Sequence, residues 1–209
     1  MFFDSEKYRI IGFKMPQFRY SDLPLGDDRT RLLRLLPNED NTAPIKCQLL
    51  NYSLQKNRNG VHLYDALSYV WGDPARPQVI YIEDGEFKVN QNLHSALRRL
   101  RDPAFERILW VDAICINQAD DKEKERQIQV MGKIYARANQ VVVWLGDEAD
   151  NSGKAMEGIR VKAADSYGVS EYANVGIHDA EISKLCERPW FRRIWVSQTY
   201  QECSTAIHS

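Results

Sequence analysis

The sequence predicts an α/β fold, a mostly parallel sheet flanked by helices, and three consecutive stretches make the case. Ile108–Asp112 is a short apolar run that empties into polar residues. Lys122–Ala138 carries Ile128, Met131, Ile134, Tyr135 and Ala138 at three- and four-residue spacing, the pattern of an amphipathic helix. Val141–Leu145 follows at once and is apolar on successive positions, as in a strand covered on both faces. Strand, helix and strand form one βαβ unit, right-handed by the usual rule.

The other elements follow in order. Residues 1–30 mix aromatics, charges and Pro and read as a loosely packed lead-in, leaving 31–209 as a single domain. Arg31–Leu36 and Ile45–Leu50 read as two strands, or a strand and a helical turn, with Pro37-Asn38 and Pro44 between them. Gln55–Gly60 is a polar loop. Ala66–Trp71 is a strand stopped by Gly72-Asp73-Pro74. Val79–Ile82 and Phe87–Val89 flank an Asp84-Gly85 turn, a hairpin signal. Leu93–Arg101 is a helix with Asn92 as its cap and Pro103 beyond its end. Asp120 and Glu123 have the spacing of a capping box ahead of the long helix. Further helices are expected near Ser152–Ala164 and at 180–187, before an aromatic and basic stretch, Arg188–Ser197, that begins with a turn.

Composition narrows the function classes. Apolar residues make up 44% and charged residues 27% of 209, ordinary for a globular chain, and the formal net charge is −1. That balance points away from nucleic acid and anionic membranes. The clusters at Arg29–Arg34 and Arg98–Arg101 read as solvated faces. Cys47, Cys115, Cys186 and Cys203 form no C-x-x-C pair, and Met1–Ile10 is no leader, so reduced thiols in the cytoplasm are expected. His62, His94, His178 and His208 lack metal-ligand spacing, and a metal site is not expected.

Ligands of α/β proteins sit beyond the carboxyl ends of parallel strands. Asp112, Asn117 and Gln118 follow such an end and are either a binding site or the ties of a tight loop. Cys115, between Ile114 and Ile116, reads as a small buried apolar side chain.

Four separated stretches resemble one family in order and spacing. They are Tyr64–Asp73 (YDALSYVWGD), Asn92–Arg101, Leu109–Gln118 with Glu125–Gln127, Met131, Ile134-Tyr135 and Val141–Gly146, and Arg188–Gln198 (RPWFRRIWVSQ). Across about residues 30–202 the chain resembles the fungal heterokaryon-incompatibility (HET) domain. The resemblance implies an effector of non-self recognition whose activation triggers growth arrest or cell death. The family is in turn similar to TIR domains, which have a flavodoxin-like parallel sheet and in many members cleave NAD. It therefore implies a TIR-like sheet with an added β-hairpin and N-terminal strands. It also implies NAD glycohydrolase activity with no permanently bound cofactor, a homo-oligomer when active, and an upstream incompatibility partner protein.

Under that resemblance Tyr69, Trp71 and Asp73 line a nucleotide pocket, with an aromatic to stack on a base; on residue type alone, Trp71 reads as core and Asp73 leans to the site. Asp112 either binds ribose hydroxyls, holds a basic neighbour or accepts loop amides. Arg126 meets phosphate or lies with Glu125 on a solvated face. Of Arg192 and Arg193, one is expected to pair with Asp112 and the other to face phosphate or a partner. Trp190 and Trp195 read as packing anchors.

One departure matters. The family's last motif runs Trp, two residues, Gln, Glu, and the glutamate is similar to the TIR catalytic acid. Here the stretch is Trp195-Val196-Ser197-Gln198-Thr199, with Glu202 as a possible substitute one helical turn on. The expectation is an impaired NADase, or alternatively a non-enzymatic, self-associating signalling domain.

Overall fold

A computed structural model describes residues 15–24, 26, 28–55, 62–73, 75–166 and 179–192. It is an α/β fold around one mixed sheet. In chain order the strands are β1 (Arg29–Leu35), β2 (Lys46–Ser53), β3 (Asp65–Tyr69), β4 (Gln78–Ile82), β5 (Gly85–Val89), β6 (Arg107–Trp110) and β7 (Gln140–Trp144). The helices are α1 (Gln91–Leu100), α2 (Asp112–Cys115), α3 (Asp121–Arg137), α4 (Ser152–Ser166) and α5 (Asp179–Cys186), followed by a 3-10 turn at Pro189–Arg192.

Among the described residues the sheet has seven strands, in the order β5-β4-β2-β1-β6-β3-β7. β3 runs parallel to both β6 and β7. The βαβ unit read from sequence is present as β6–α3–β7, with β3 inserted between its two strands. β1 and β2 pair antiparallel, Leu33 opposite Leu49, and β1 continues antiparallel onto β6. The β4–β5 hairpin joins the far edge through a parallel pairing with β2.

β1 occupies the middle of the sheet, and its leucines are therefore sealed: Leu32, Leu33 and Leu35 are at most 3% exposed. Burying such a side chain contributes roughly 1.5–3 kcal/mol. β7 corrects the expectation of a strand covered on both faces. It pairs with β3 alone among the described strands, and Val141 and Val143 are 46% and 39% exposed while Val142 and Trp144 pack on the core.

Several local expectations change for identifiable reasons. α1 begins earlier than expected and is capped by Asn90, whose Oδ1 accepts from Leu93 N at 2.8 Å; Asn92 lies within its first turn. α3 is capped by Asp120 as expected, with Oδ1 accepting from Lys122 N and Glu123 N. Glu123, however, does not close a capping box: it is buried and turned to Arg31. The buried line of α3 is Glu123, Gln127, Val130 and Ile134, with Ile128 49% exposed. The helix is rotated from its apolar stripe because its first half meets polar groups of β1, with Gln127 Nε2 donating to Arg29 O at 2.7 Å.

The hairpin turn is Glu83-Asp84, and Gly85 already pairs with Ile82. Gly85 is required by a close approach instead: a Cβ there would stand 2.6 Å from Phe18 Cα. Residues 17–20 of the lead-in are correspondingly better packed than its composition implies. Gln17 bridges Glu86, Phe18 N donates to Glu86 O, and the rings of Phe18, Tyr20 and Phe87 meet edge to face at 5.2–6.1 Å.

Neither of the first two basic clusters is only a solvated face. Arg31 is 1% exposed. Arg101, 6% exposed, donates to the carbonyls of Asp40, Ala43 and Pro44 and pins the β1–β2 connection.

Candidate functional site

The carboxyl ends of β3 and β6 bring Trp71 and Asp112 together. Trp71 follows β3 past Val70, and Asp112 opens α2 just beyond β6, so the parallel pairing sets both residues at the same end of the sheet. Trp71 Nε1 donates to Asp112 Oδ2 at 2.9 Å, and Asp112 Oδ1 accepts from Ala113 N at 2.7 Å. Trp71 is 45% exposed, which corrects its reading as a core residue. The chain turns out of β3 here through Gly72, at φ +73°, where a Cβ would meet Asn92 at 3.4 Å. An aromatic held open to solvent beside a carboxylate suits a flat, polyhydroxylated ligand.

A second polar layer supports the pair from the β7 side. Asn92 Nδ2 donates to Val70 O at 2.6 Å, while its Oδ1 accepts from Trp144 Nε1 at 2.8 Å. One side chain thus ties α1 to the ends of β3 and β7. Trp190 Nε1 donates to Ser68 Oγ at 3.0 Å, and Trp190 is 8% exposed, the packing anchor expected of it. Arg188 donates to the carbonyls of Leu145, Asp147 and Ala149, fixing the loop that leaves β7. From sequence Asn92 reads only as a helix cap and Arg188 only as part of a basic stretch, since both partner sets are distant in the chain.

Beneath the turn at 112–118 lies a buried ion pair that sequence reasoning missed. Arg31 Nη1 and Nη2 meet both carboxylate oxygens of Glu123 at 2.6 and 3.0 Å. In the sequence Glu123 reads as the capping-box partner of Asp120 and Arg31 as part of a solvated face, so neither points to the other.

The remaining expected site residues divide as follows. Tyr69 is 1% exposed and packs in the core, so it does not line an open pocket. Asp73 is exposed and its Oδ1 accepts from Ala75 N at 2.8 Å, which makes it a turn cap. Asn117 Oδ1 accepts from Ala119 N and Gln118 Nε2 donates to Asp112 O at 3.0 Å, so both tie the loop that presents Asp112. Arg126 and Glu125 are on the exposed side of α3, and Arg192 is exposed. Cys115 is buried, and that burial pushes its thiol up to about 12, consistent with an apolar packing role. Arg193, Trp195, Thr199 and Glu202 lie outside the described residues. Among the described residues no cluster of three His, Cys, Asp or Glu groups is placed to hold a metal ion, and no helix is long and apolar enough to cross a membrane.

Comparison with known proteins gives a match over most of the chain. Residues 64–202 match the family model for heterokaryon incompatibility protein (HET). The chain is also similar to heterokaryon incompatibility protein 6, OR allele, of Neurospora crassa, at 29% identity over an alignment covering 91% of this chain and 34% of that protein. The chain thus spans about a third of the length of that relative. No solved structure matches.

Proposed function

The chain belongs to the heterokaryon incompatibility family, and on that premise we propose that it is an effector domain of fungal non-self recognition, built for NAD hydrolysis at the carboxyl ends of β3 and β6. The observation that carries the reading is the open Trp71 indole held 2.9 Å from the Asp112 carboxylate at a parallel-strand end. The ring offers a face for a base or for nicotinamide, and the carboxylate suits the ribose hydroxyls.

The chemistry asks for a further carboxylate. When the bond from ribose C1′ to the nicotinamide nitrogen breaks, its electron pair leaves with nicotinamide and positive charge develops on the ribose. Water then adds at C1′ and loses a proton, giving ADP-ribose. A fixed negative group beside the ribose stabilises that transition state, and removing such a group commonly costs about 10²–10³ in rate. The residue that resembles this acid in position is Thr199, whose hydroxyl carries no charge. The domain is thus proposed to retain nucleotide binding with impaired turnover.

A second reading, self-association without catalysis, is favoured by the exposed Val141 and Val143 on β7 and by Thr199 itself. Nicotinamide release from NAD by concentrated protein, beside the Thr199→Glu variant, separates the two. Release by the glutamate variant alone supports an NADase lacking its acid. Release by both moves the catalytic role to Glu202 or another acid. Silence in both, with each folded and assembled, favours the self-associating domain.

A further inference from the structure

We propose that Arg31, Glu123 and Tyr20 are positioning residues that hold the 112–118 turn, and through it the Asp112 carboxylate, in place. The consequence for ligand binding rests on the strand-end site proposed above; the structural claim does not.

α2 is only four residues long, too short to be stable through its own hydrogen bonds. Four successive residues of the turn are instead fastened from outside. The Tyr20 hydroxyl stands 2.9 Å from Ile114 O and 3.3 Å from Ile116 O. Arg31 Nη1 donates to Cys115 O at 3.3 Å, and Glu123 Oε1 accepts from Asn117 N at 2.7 Å. Gln118 closes the turn by donating to Asp112 O. The three side chains also hold one another. Arg31 meets Glu123 with both ends of its fork, its guanidinium lies 5.0 Å over the Tyr20 ring, and its Nη2 donates to Ser21 O at 2.8 Å.

Segment 17–21, strand β1, the turn and helix α3 therefore converge on one buried charge pair. A pair of this kind is not needed for stability as such, since well-packed apolar residues commonly replace a buried ion pair without loss. What an apolar pair cannot do is satisfy Cys115 O, Asn117 N and Ser21 O, each fixed in space by this one arrangement. The charges are retained for their directed hydrogen bonds.

The test uses the full chain and hydrogen exchange of the amides at 114–117, followed by mass spectrometry. In the double variant Arg31→Met, Glu123→Leu, melting is expected to fall by a few degrees, because Cys115 O, Asn117 N and Ser21 O lose their partners, while these amides exchange at least about ten-fold faster than in the parent, well beyond any change in the amides of β1. A double variant that melts like the parent and exchanges like it overturns the proposal, because the pair then only fills space. Should the double variant fail to fold, Tyr20→Phe decides alone, since it removes two contacts to the turn and leaves the ion pair intact. Several-fold faster exchange at 114–117 is expected there, and unchanged exchange overturns the proposal. NAD titration of the same proteins separates the two claims. Failure of the parent to bind NAD counts against the nucleotide reading and leaves exchange to decide the positioning role. A parent that binds, with Tyr20→Phe binding several-fold more weakly, joins them.

Discussion

Asp112→Asn removes one charge from the strand end while leaving shape and most packing alone. The amide oxygen can still accept from Ala113 N, the 2.7 Å contact that starts α2. The bond from Trp71 Nε1 loses its ionic partner. A hydrogen bond to a charged group contributes about 1.5–3 kcal/mol when sealed from water. Trp71 is 45% exposed, so solvent reduces that to about 1 kcal/mol or less. In a chain of this length the expected drop in melting temperature is about 2–4 °C. Nucleotide binding should suffer more, because a ribose hydroxyl would lose its charged acceptor: about ten-fold weaker NAD affinity, measured by titration calorimetry. Trp71→Phe, which keeps a ring but loses the indole N–H, should behave similarly in stability and be non-additive with Asp112→Asn. NAD affinity equal to that of the parent in folded Asp112→Asn would refute the placement of the site. A loss of several kcal/mol of stability would show that Asp112 is instead a structural capping residue.

Three further outcomes are expected. Gly85→Ala should destabilise by about 1–3 kcal/mol and loosen segment 16–20, seen as faster amide exchange there, because the added methyl meets the Phe18 backbone and not a movable side-chain tip. In the native protein iodoacetamide should label exposed Cys186 but spare Cys47 and Cys115, whose thiols burial pushes up to about 12; native labelling of Cys115 would contradict its sealed environment. His94 is held below the ordinary value of 6.5, first by burial and then by Arg98 and Arg101. The unfolded chain therefore takes up this proton more readily than the native one, so its contribution to stability is present above pH 6.5 and is lost as pH falls below it. The urea midpoint should decline less steeply from about pH 7 to pH 5.5 in His94→Gln than in the parent, and parallel profiles would exclude the effect.

What the sequence disclosed, and what it hid, follows from the range of the interactions. Elements carried by local pattern were legible: β3, the β4–β5 hairpin, the Asp120 cap and the length of α3 all rest on residues within a few positions of one another. Tertiary partners were not. Arg31 and Glu123 lie 92 positions apart, and alone the first reads as part of a solvated face and the second as a capping-box residue. Trp71 reads as core because large aromatics usually are, yet its indole N–H finds Asp112 across a parallel pairing and its ring stays open. Gly85 reads as a turn residue, because the approach of Phe18 comes from a segment with no periodic signal. Strand-end logic did select Asp112, Asn117 and Gln118 together; what it could not decide was that Asn117 and Gln118 tie the loop while Asp112 meets Trp71.

That division bears directly on mechanism. Asn92, Asn117, Gln118 and Asp73 are engaged with backbone groups or with Trp144, so their role at the strand ends is to build the rim. Under the proposed function the recognition chemistry falls to the Trp71 face and the Asp112 carboxylate, which the indole N–H holds at 2.9 Å. Asp112 accepts from the Trp71 indole N–H and from Ala113 N, contacts that fix a hydrogen-bond acceptor in place at the strand end. On the proposed function, binding and cleavage are separable. Asp112 should govern affinity, and an acid restored at position 199 should govern turnover. NAD affinity should then fall in Asp112→Asn whether position 199 is Thr or Glu, while nicotinamide release should respond to Thr199→Glu without a matching change in affinity. A Thr199→Glu protein that gained affinity but no turnover would break this separation and return the catalytic role to a group still to be found.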